Sequence, residues 1–182
     1  MNAVSSQVRP ILPARVEIDR ERWVSIRPIE RADASALSDF YARLSPESRH
    51  RRFLCFGTAS VSLVPGLADA PGFVGVLREQ GPLDGGIVAH ASIQPDGRGS
   101  GEVAFAVADE VQGHGVGKRL VAMVLERAHA LNLAQVTASM LAGNARMHHL
   151  LVDAGYPLLA DRVDAGVEEI VLDAGAVRPI AA

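Results

Sequence analysis

Apolar positions recur along this chain with two periods, and the switches between them lay out the elements. Residues 23–29 alternate and are rich in large side chains, which predicts a strand ending near Pro28. Ala36, Leu37, Phe40, Tyr41 and Leu44 fall at helical spacing, so residues 33–44 read as an amphipathic helix. Ser45 and Pro46 then act as cap and first-turn proline of a short basic helix ending at Phe53. Strands at 73–78, 87–94 and 102–107, joined by glycine- and proline-rich turns at 81–86 and 95–99, give an antiparallel meander. Leu120, Val121, Val124, Leu125 and Ala128 mark one face of a long helix over 116–131. A strand at 135–140 follows, then a helix at 144–154 capped by Asn144 and closed by Gly155, then a last strand at 167–172. Pro65, Gly66 and Pro71 break the stretch 58–72, and no element is assigned there. Residues 1–20 show little periodicity and read as a tail or an arm over the surface, residues 21–182 as one domain without internal repeats. This order belongs to an α+β or mixed-sheet α/β fold, not to an alternating doubly wound sheet.

Composition narrows the function. The 182 residues suffice for a sizeable core. A formal net charge of −3 lacks the basic footprint of a nucleic-acid partner. Cys55 is the only cysteine, which excludes an intrachain disulfide and a cysteine metal cage. No apolar run reaches membrane-spanning length and the first residues lack a signal-peptide core, so a cytoplasmic address is expected. Basic residues comprise 17 arginines and one lysine, Lys118. We read that imbalance as genomic base composition, but the lysine stands beside the most informative segment.

That segment runs over 103–120, VAFAVADEVQGHGVGKRL. A strand-like run ends in acidic residues; Gln112, Gly113, His114, Gly115, Val116 and Gly117 follow, and a helix begins at once. Glycines at alternate positions leave backbone N–H groups bare, and the positive end of a helix dipole lies behind them: a cradle for phosphate oxygens. A Walker loop fails, because Gln112 stands where its first glycine belongs and Arg119 replaces its hydroxyl. A dinucleotide fingerprint fails as well, its third glycine falling on Lys118 or Leu120.

Gln112, Gly115 and Gly117 instead fit Q/R-x-x-G-x-G/A, and the chain resembles the GNAT acetyltransferase superfamily over about residues 23–172. Asn144, Met147 and Leu150, followed by Ala154-Gly155-Tyr156, resemble a later motif of that family. Leu44-Ser45-Pro46-Glu47-Ser48-Arg49, Glu102-Val103-Ala104-Phe105 and Met140-Leu141 are similar to bacterial Pat-type protein lysine acetyltransferases, to their catalytic domain alone. The resemblance implies a mixed, mostly antiparallel sheet flanked by helices, with two parallel strands splayed at the acyl-CoA site. It implies acetyl transfer from acetyl-CoA to a primary amine, without a metal, in an assembly that allows a homodimer. The pantetheine arm then bonds to backbone groups of Phe105, Ala106 and Val107, and one N–H stabilises the oxyanion, an effect of roughly 3–4 kcal/mol in hydrolases. The diphosphate lies on amides from Gln112 to Lys118, with Lys118 as an added point charge or as a solvated lysine. Asn144 caps its helix and also contacts the cofactor arm.

An attacking amine must be neutral, and free lysine has a pKa of about 10.4, so a general base is expected. Glu102 is that candidate, half-buried beside Val103 and Phe105 and able to act through a water. Asp109 and Glu110 read as turn residues. The position where relatives carry a tyrosine acid is Leu151, so the thiol leaves as thiolate or takes its proton from water. His148 and His149 point about 100° apart on a helix and read as surface or groove-lining, not as a metal pair. His50 reads as part of an Arg-rich helix face and His90 as a strand residue, neither given a role, Cys55 reads as packing, and Arg49, Arg51 and Arg52 read as a solvated face. The acceptor expected is a protein lysine; a small amine, or a non-catalytic acyl-CoA-binding module, is the alternative.

Overall fold

The computed structural model describes residues 12–54, 66–79 and 84–176. Strands β1 (Ala14–Glu17), β2 (Arg22–Pro28), β3 (Gly72–Glu79), β4 (Asp84–Pro95), β5 (Ser100–Val107), β6 (Gln135–Leu141), β7 (Leu158–Asp164) and β8 (Val167–Asp173) form one sheet in the order β1-β2-β3-β4-β5-β6-β8-β7. Helices α1 (Ala34–Arg43), α2 (Pro46–Phe53), α3 (Val116–Ala130) and α4 (Ala145–Val152) flank it. Every neighbouring pair is antiparallel except β5–β6. A parallel pair needs a crossover, and α3 supplies it.

Strand alternation sends two apolar sets to opposite faces. Val24, Ile26, Phe73, Val103, Val136 and Ile170 meet the buried stripe of α3, including Leu120, Val124 and Leu125. On the other face Leu37, Phe40 and Tyr41 of α1 pack on Val74 and Val76. The expected long helix, the meander and the capped α4 are all present. Gly155 ends α4 with φ of +80°, a conformation glycine adopts without strain.

Two strands lie where none was expected. Residues 14–17, read as part of a surface arm, are β1, with Val16 opposite Val24. β7 covers the other edge and is exposed along most of its length, so no buried face betrays it in the sequence. A short 3-10 turn, Arg31–Asp33, precedes α1, and Asp33 anchors it. Its carboxylate accepts two hydrogen bonds from the Arg27 guanidinium at 2.7 Å, which hold it below the usual carboxylate range. Cys55, residues 58–65 and residues 81–83 of the expected turn lie outside the described residues. Among the described residues, no helix is long and apolar enough to cross a membrane.

Candidate active site

β5 and β6 pair only at Ser100–Gln135, Gly101–Val136 and Glu102–Thr137, and beyond those positions they part. A groove of about 360 Å³ opens there, walled by residues 103–107 of β5, residues 138–140 of β6, and Met147 and Leu150 of α4. That volume suits a narrow organic ligand. The strands' facing edges carry the peptide groups that a neighbouring strand would otherwise satisfy.

Alternation decides which groups those are. Ala108 N–H bonds to Val88 O at 2.8 Å, and Ala106 pairs with His90. In an antiparallel pair, N–H and C=O of one residue point to the same side and the next residue points away. Both peptide groups of Ala106 therefore serve β4, and those of Phe105 and Val107 face the gap. This corrects the expectation of three successive backbone contacts: Ala106 offers only its methyl to the groove. The Val107 carbonyl is also taken, by Gln112 Nε2 at 3.0 Å.

Gln112 fixes the loop at the groove mouth. Its Nε2 also donates to Asp109 Oδ1 at 2.9 Å, and its Oε1 accepts from Arg146 at 3.2 Å. Its own N–H is spent on Asp109 O, so the bare amides begin at Gly113, one residue later than expected. The first bond inside α3 runs from Arg119 N–H to Gly115 O. The amides of Gly113, His114, Gly115, Val116, Gly117 and Lys118 precede it and have no helical acceptor. Gly113 and Gly115 hold φ of +87° and +89°, which aims consecutive N–H groups into one concavity. A Cβ at Gly117 would stand 3.3 Å from Leu150 Cδ1, within the wall. Val116 is buried in the core and the His114 side chain lies off the groove wall, so each presents only its amide at the turn. Lys118 is exposed and lines the groove.

Asn144 caps α4 as expected, its Oδ1 accepting from Met147 N–H at 3.4 Å, and it also lines the groove. Leu151 is fully buried, so the position expected near the sulfur faces the core, and Met147 and Leu150 take the wall. Glu102 sits at the last paired position before the strands part, on the sheet face of Ala104 and Ala106. The half-burial expected of it is not found: the side chain is exposed, and the groove wall starts one residue later.

Several side chains were invisible to sequence patterns because their partners are distant in the chain. Asp109, read as a plain turn residue, clips α2 to the loop by accepting from Ser48 Oγ at 2.6 Å, and this bond holds its carboxyl below the usual range. His90 is wholly buried, with Nδ1 2.8 Å from Tyr41 Oη, and burial pushes its pKa down to about 3. His148 is neither loose nor groove-lining. It bonds to Glu168 Oε1 at 2.6 Å, which raises its pKa, and Asp161 Oδ2 lies 3.9 Å away. These three are the described residues whose donor atoms could share a cation. Arg52 is not a solvated residue either: it lines the groove, its guanidinium carbon 4.9 Å from the Phe53 ring centre.

The family model for the "Acetyltransferase (GNAT) family" matches residues 29–156. The chain belongs to the GNAT acetyltransferase family. It is 32% identical over 146 residues to "Acetyltransferase PA5475" of Pseudomonas aeruginosa, covering 76% of this chain and 77% of that protein. It is 28% identical over 146 residues to "Acetyltransferase Pat" of Mycolicibacterium smegmatis, covering 78% of this chain but 43% of that protein, so it spans less than half of that relative. The GNAT domain of S. lividans PAT superposes with a TM-score of 0.69 at 25% identity, over 88% of this chain and 96% of that one. YncA from Salmonella typhimurium, solved "with its cofactor Acetyl-CoA", shares the GNAT fold with a TM-score of 0.64 at 19% identity, over 87% and 98%.

Proposed function

We propose that this chain transfers the acetyl group of acetyl-CoA directly to a primary amine, and that the amine is a protein lysine. The observation that carries this reading is the joining of two features: an open inner edge at β5–β6 and a turn of bare amides at its mouth. The amides of residues 113–118 suit the diphosphate, with Lys118 beside them. The gap suits a pantetheine arm, which bonds to Phe105 and Val107 as an extra strand would. A gap-facing N–H of β5 then donates to the thioester oxygen as negative charge builds there.

Glu102 stands where the gap begins and takes the ammonium proton directly or through a water. The neutral amine nitrogen attacks the carbonyl carbon, the C–S bond breaks with sulfur leaving with the electron pair as thiolate, and the nitrogen's second proton passes to that thiolate or to water. A thiol pKa of about 8–9 makes that departure feasible without an acid at Leu151. Likeness to Pat-type enzymes is what favours lysine over a small amine.

Labelled acetyl-CoA offered to lysine peptides and to small amines tests the reading. We expect label on lysine Nζ, and E102Q to bind acetyl-CoA normally while transferring at least 100-fold more slowly at neutral pH. Acetyl-CoA binding without transfer to any amine would convert the assignment to a binding module. Preference for small amines would replace lysine as acceptor, and full activity in E102Q would remove Glu102.

A further inference from the structure

Of the four basic side chains at the groove, three have evident occupations. Arg51 is ion-paired to Glu47 at 2.6 Å, Arg146 holds Gln112, and Lys118 stands in the amide turn. Arg52 is different. It sits near the C-terminal end of α2, half-buried, against the rings of Phe53 and Tyr41, with its carbon 4.9 and 5.9 Å from their centres. It donates one long hydrogen bond, 3.5 Å, to Ser92 Oγ, and its charge also bears on the Tyr41 hydroxyl. Its Nε is buried without a hydrogen-bond partner, and no carboxylate of the described residues lies within ion-pair distance.

A half-buried guanidinium without a counter-charge is costly, because desolvation weakens its hydration and nothing replaces it. Two rings fix its plane, which pre-organises the fork for a planar acceptor. The sheet beneath carries a second incomplete donor set. His90 is two residues from Ser92 on the same face, and its Nε2 is buried without a partner, its Nδ1 being occupied by Tyr41. His90 is neutral, so it adds no competing charge. His90 is enclosed and does not line the groove, so it is the Arg52 guanidinium, half-buried on the groove wall with its Nε unpartnered, that points to an anion.

Position selects which anion. The diphosphate cradle at 113–118 is carried by the loop that opens α3, whereas Arg52 lies on α2, over the face that Glu102, Ala104 and Ala106 share. That is the side from which an amine reaches the proposed base. We propose that Arg52 receives a carboxylate carried beside the acceptor amine, so that the preferred lysine has an acidic neighbour. This rests on the acetyl-transfer reading and adds a recognition element to it. Two sources share that chemistry: a glutamate or aspartate flanking lysine in a protein, or the α-carboxylate of a free amino acid. A planar carboxylate accepts both arms of a guanidinium at once, and an amide in its place forfeits the charge.

Two matched pairs test it at saturating acetyl-CoA: lysine peptides with glutamate or glutamine next to the acceptor, and free lysine against cadaverine. Wild type is expected to favour the glutamate peptide at least tenfold in kcat/KM, mainly through KM. R52Q should level the peptide pair while changing KM for acetyl-CoA less than twofold, and R52K should keep part of the preference. A preference confined to lysine over cadaverine assigns the site to a free amino acid and overturns the acidic neighbour in a protein. Equal use within both pairs by wild type overturns the carboxylate site outright, whatever R52Q does. A large rise in KM for acetyl-CoA in R52Q gives Arg52 to the donor and overturns it too. If acetyl-CoA binds but no amine is acetylated, the transfer reading alone falls. Calorimetry of CoA-loaded protein with the two peptides then decides: tighter binding of the glutamate peptide, lost in R52Q, sustains the site, and equal binding overturns it.

Discussion

His90 gives the sharpest test of the interior because its burial sets both sign and size. In the unfolded chain its imidazole titrates near 6.5; in the folded protein burial pushes that value down to about 3, with the Arg52 charge acting in the same direction. Below pH 6.5 the unfolded chain takes a proton that the folded protein refuses. Stability from this source is therefore complete above 6.5 and lost as pH falls toward 3. Each pH unit in that window corresponds to about 1.4 kcal/mol, so about 2 kcal/mol is gone at pH 5. Domain stabilities lie at roughly 5–15 kcal/mol, so the loss is readable. Urea unfolding of wild type and H90N at pH 7.5, 6 and 5 isolates it. Asparagine places a polar atom near the Nδ1 position and does not titrate, and contributions from Asp33, Asp109 and His148 cancel in the difference. The stability of wild type relative to H90N should be constant above pH 7 and fall by about 2 kcal/mol by pH 5. A difference that stays flat down to pH 5 would refute the argument, since it requires folded His90 to accept its proton.

Two further outcomes are expected. At Gly115 a Cβ would meet nothing within 4 Å, but φ is +89°, so G115A should cost only about 1–2 kcal/mol of stability and leave acetyl-CoA binding measurable by calorimetry, whereas G115D should abolish it by placing a carboxylate among the diphosphate donors. The raised pKa of His148 means its pairing with Glu168 stabilises fully below about pH 6.5 and fades as pH rises through the folded value, so the melting-temperature gap between wild type and H148Q should be wide at pH 6 and narrow at pH 9; a gap that widens with pH contradicts the pairing.

Local signals carried the amide turn, the α4 cap and the long helix, because each is written within about ten residues. Ser45 accepting from Ser48 N–H is of that kind as well. Edge strands were not legible: β1 has four residues, and β7 buries too little to impose alternation. Which backbone groups of β5 reach the groove was also hidden, since that depends on pairing with β4 rather than on residue type. The same applies to Arg52, whose row of basic neighbours looks solvated in one dimension. Its fate was set by Phe53, Tyr41 and Ser92, the last 40 residues away. Glu102 was placed in the right strand but as its first residue, whereas β5 begins at Ser100, and a strand's period does not reveal how much of such a residue is covered.

The location of the site follows from the one parallel pair in the sheet. A parallel neighbour requires a crossover helix, and that helix begins beside the end of β5, so its unpaired amides arrive at the same end as the strand gap. β6 stays paired to β8 along its whole length, through Leu141, while it leaves β5 after Thr137. The sheet thus has two unsatisfied inner edges that another folded sheet cannot reach, because intact strands and helices flank them. An extended molecule with its own amides would complete that ladder, as the proposed pantetheine arm does, and the bare amides of the turn at the mouth favour a ligand with an anionic head.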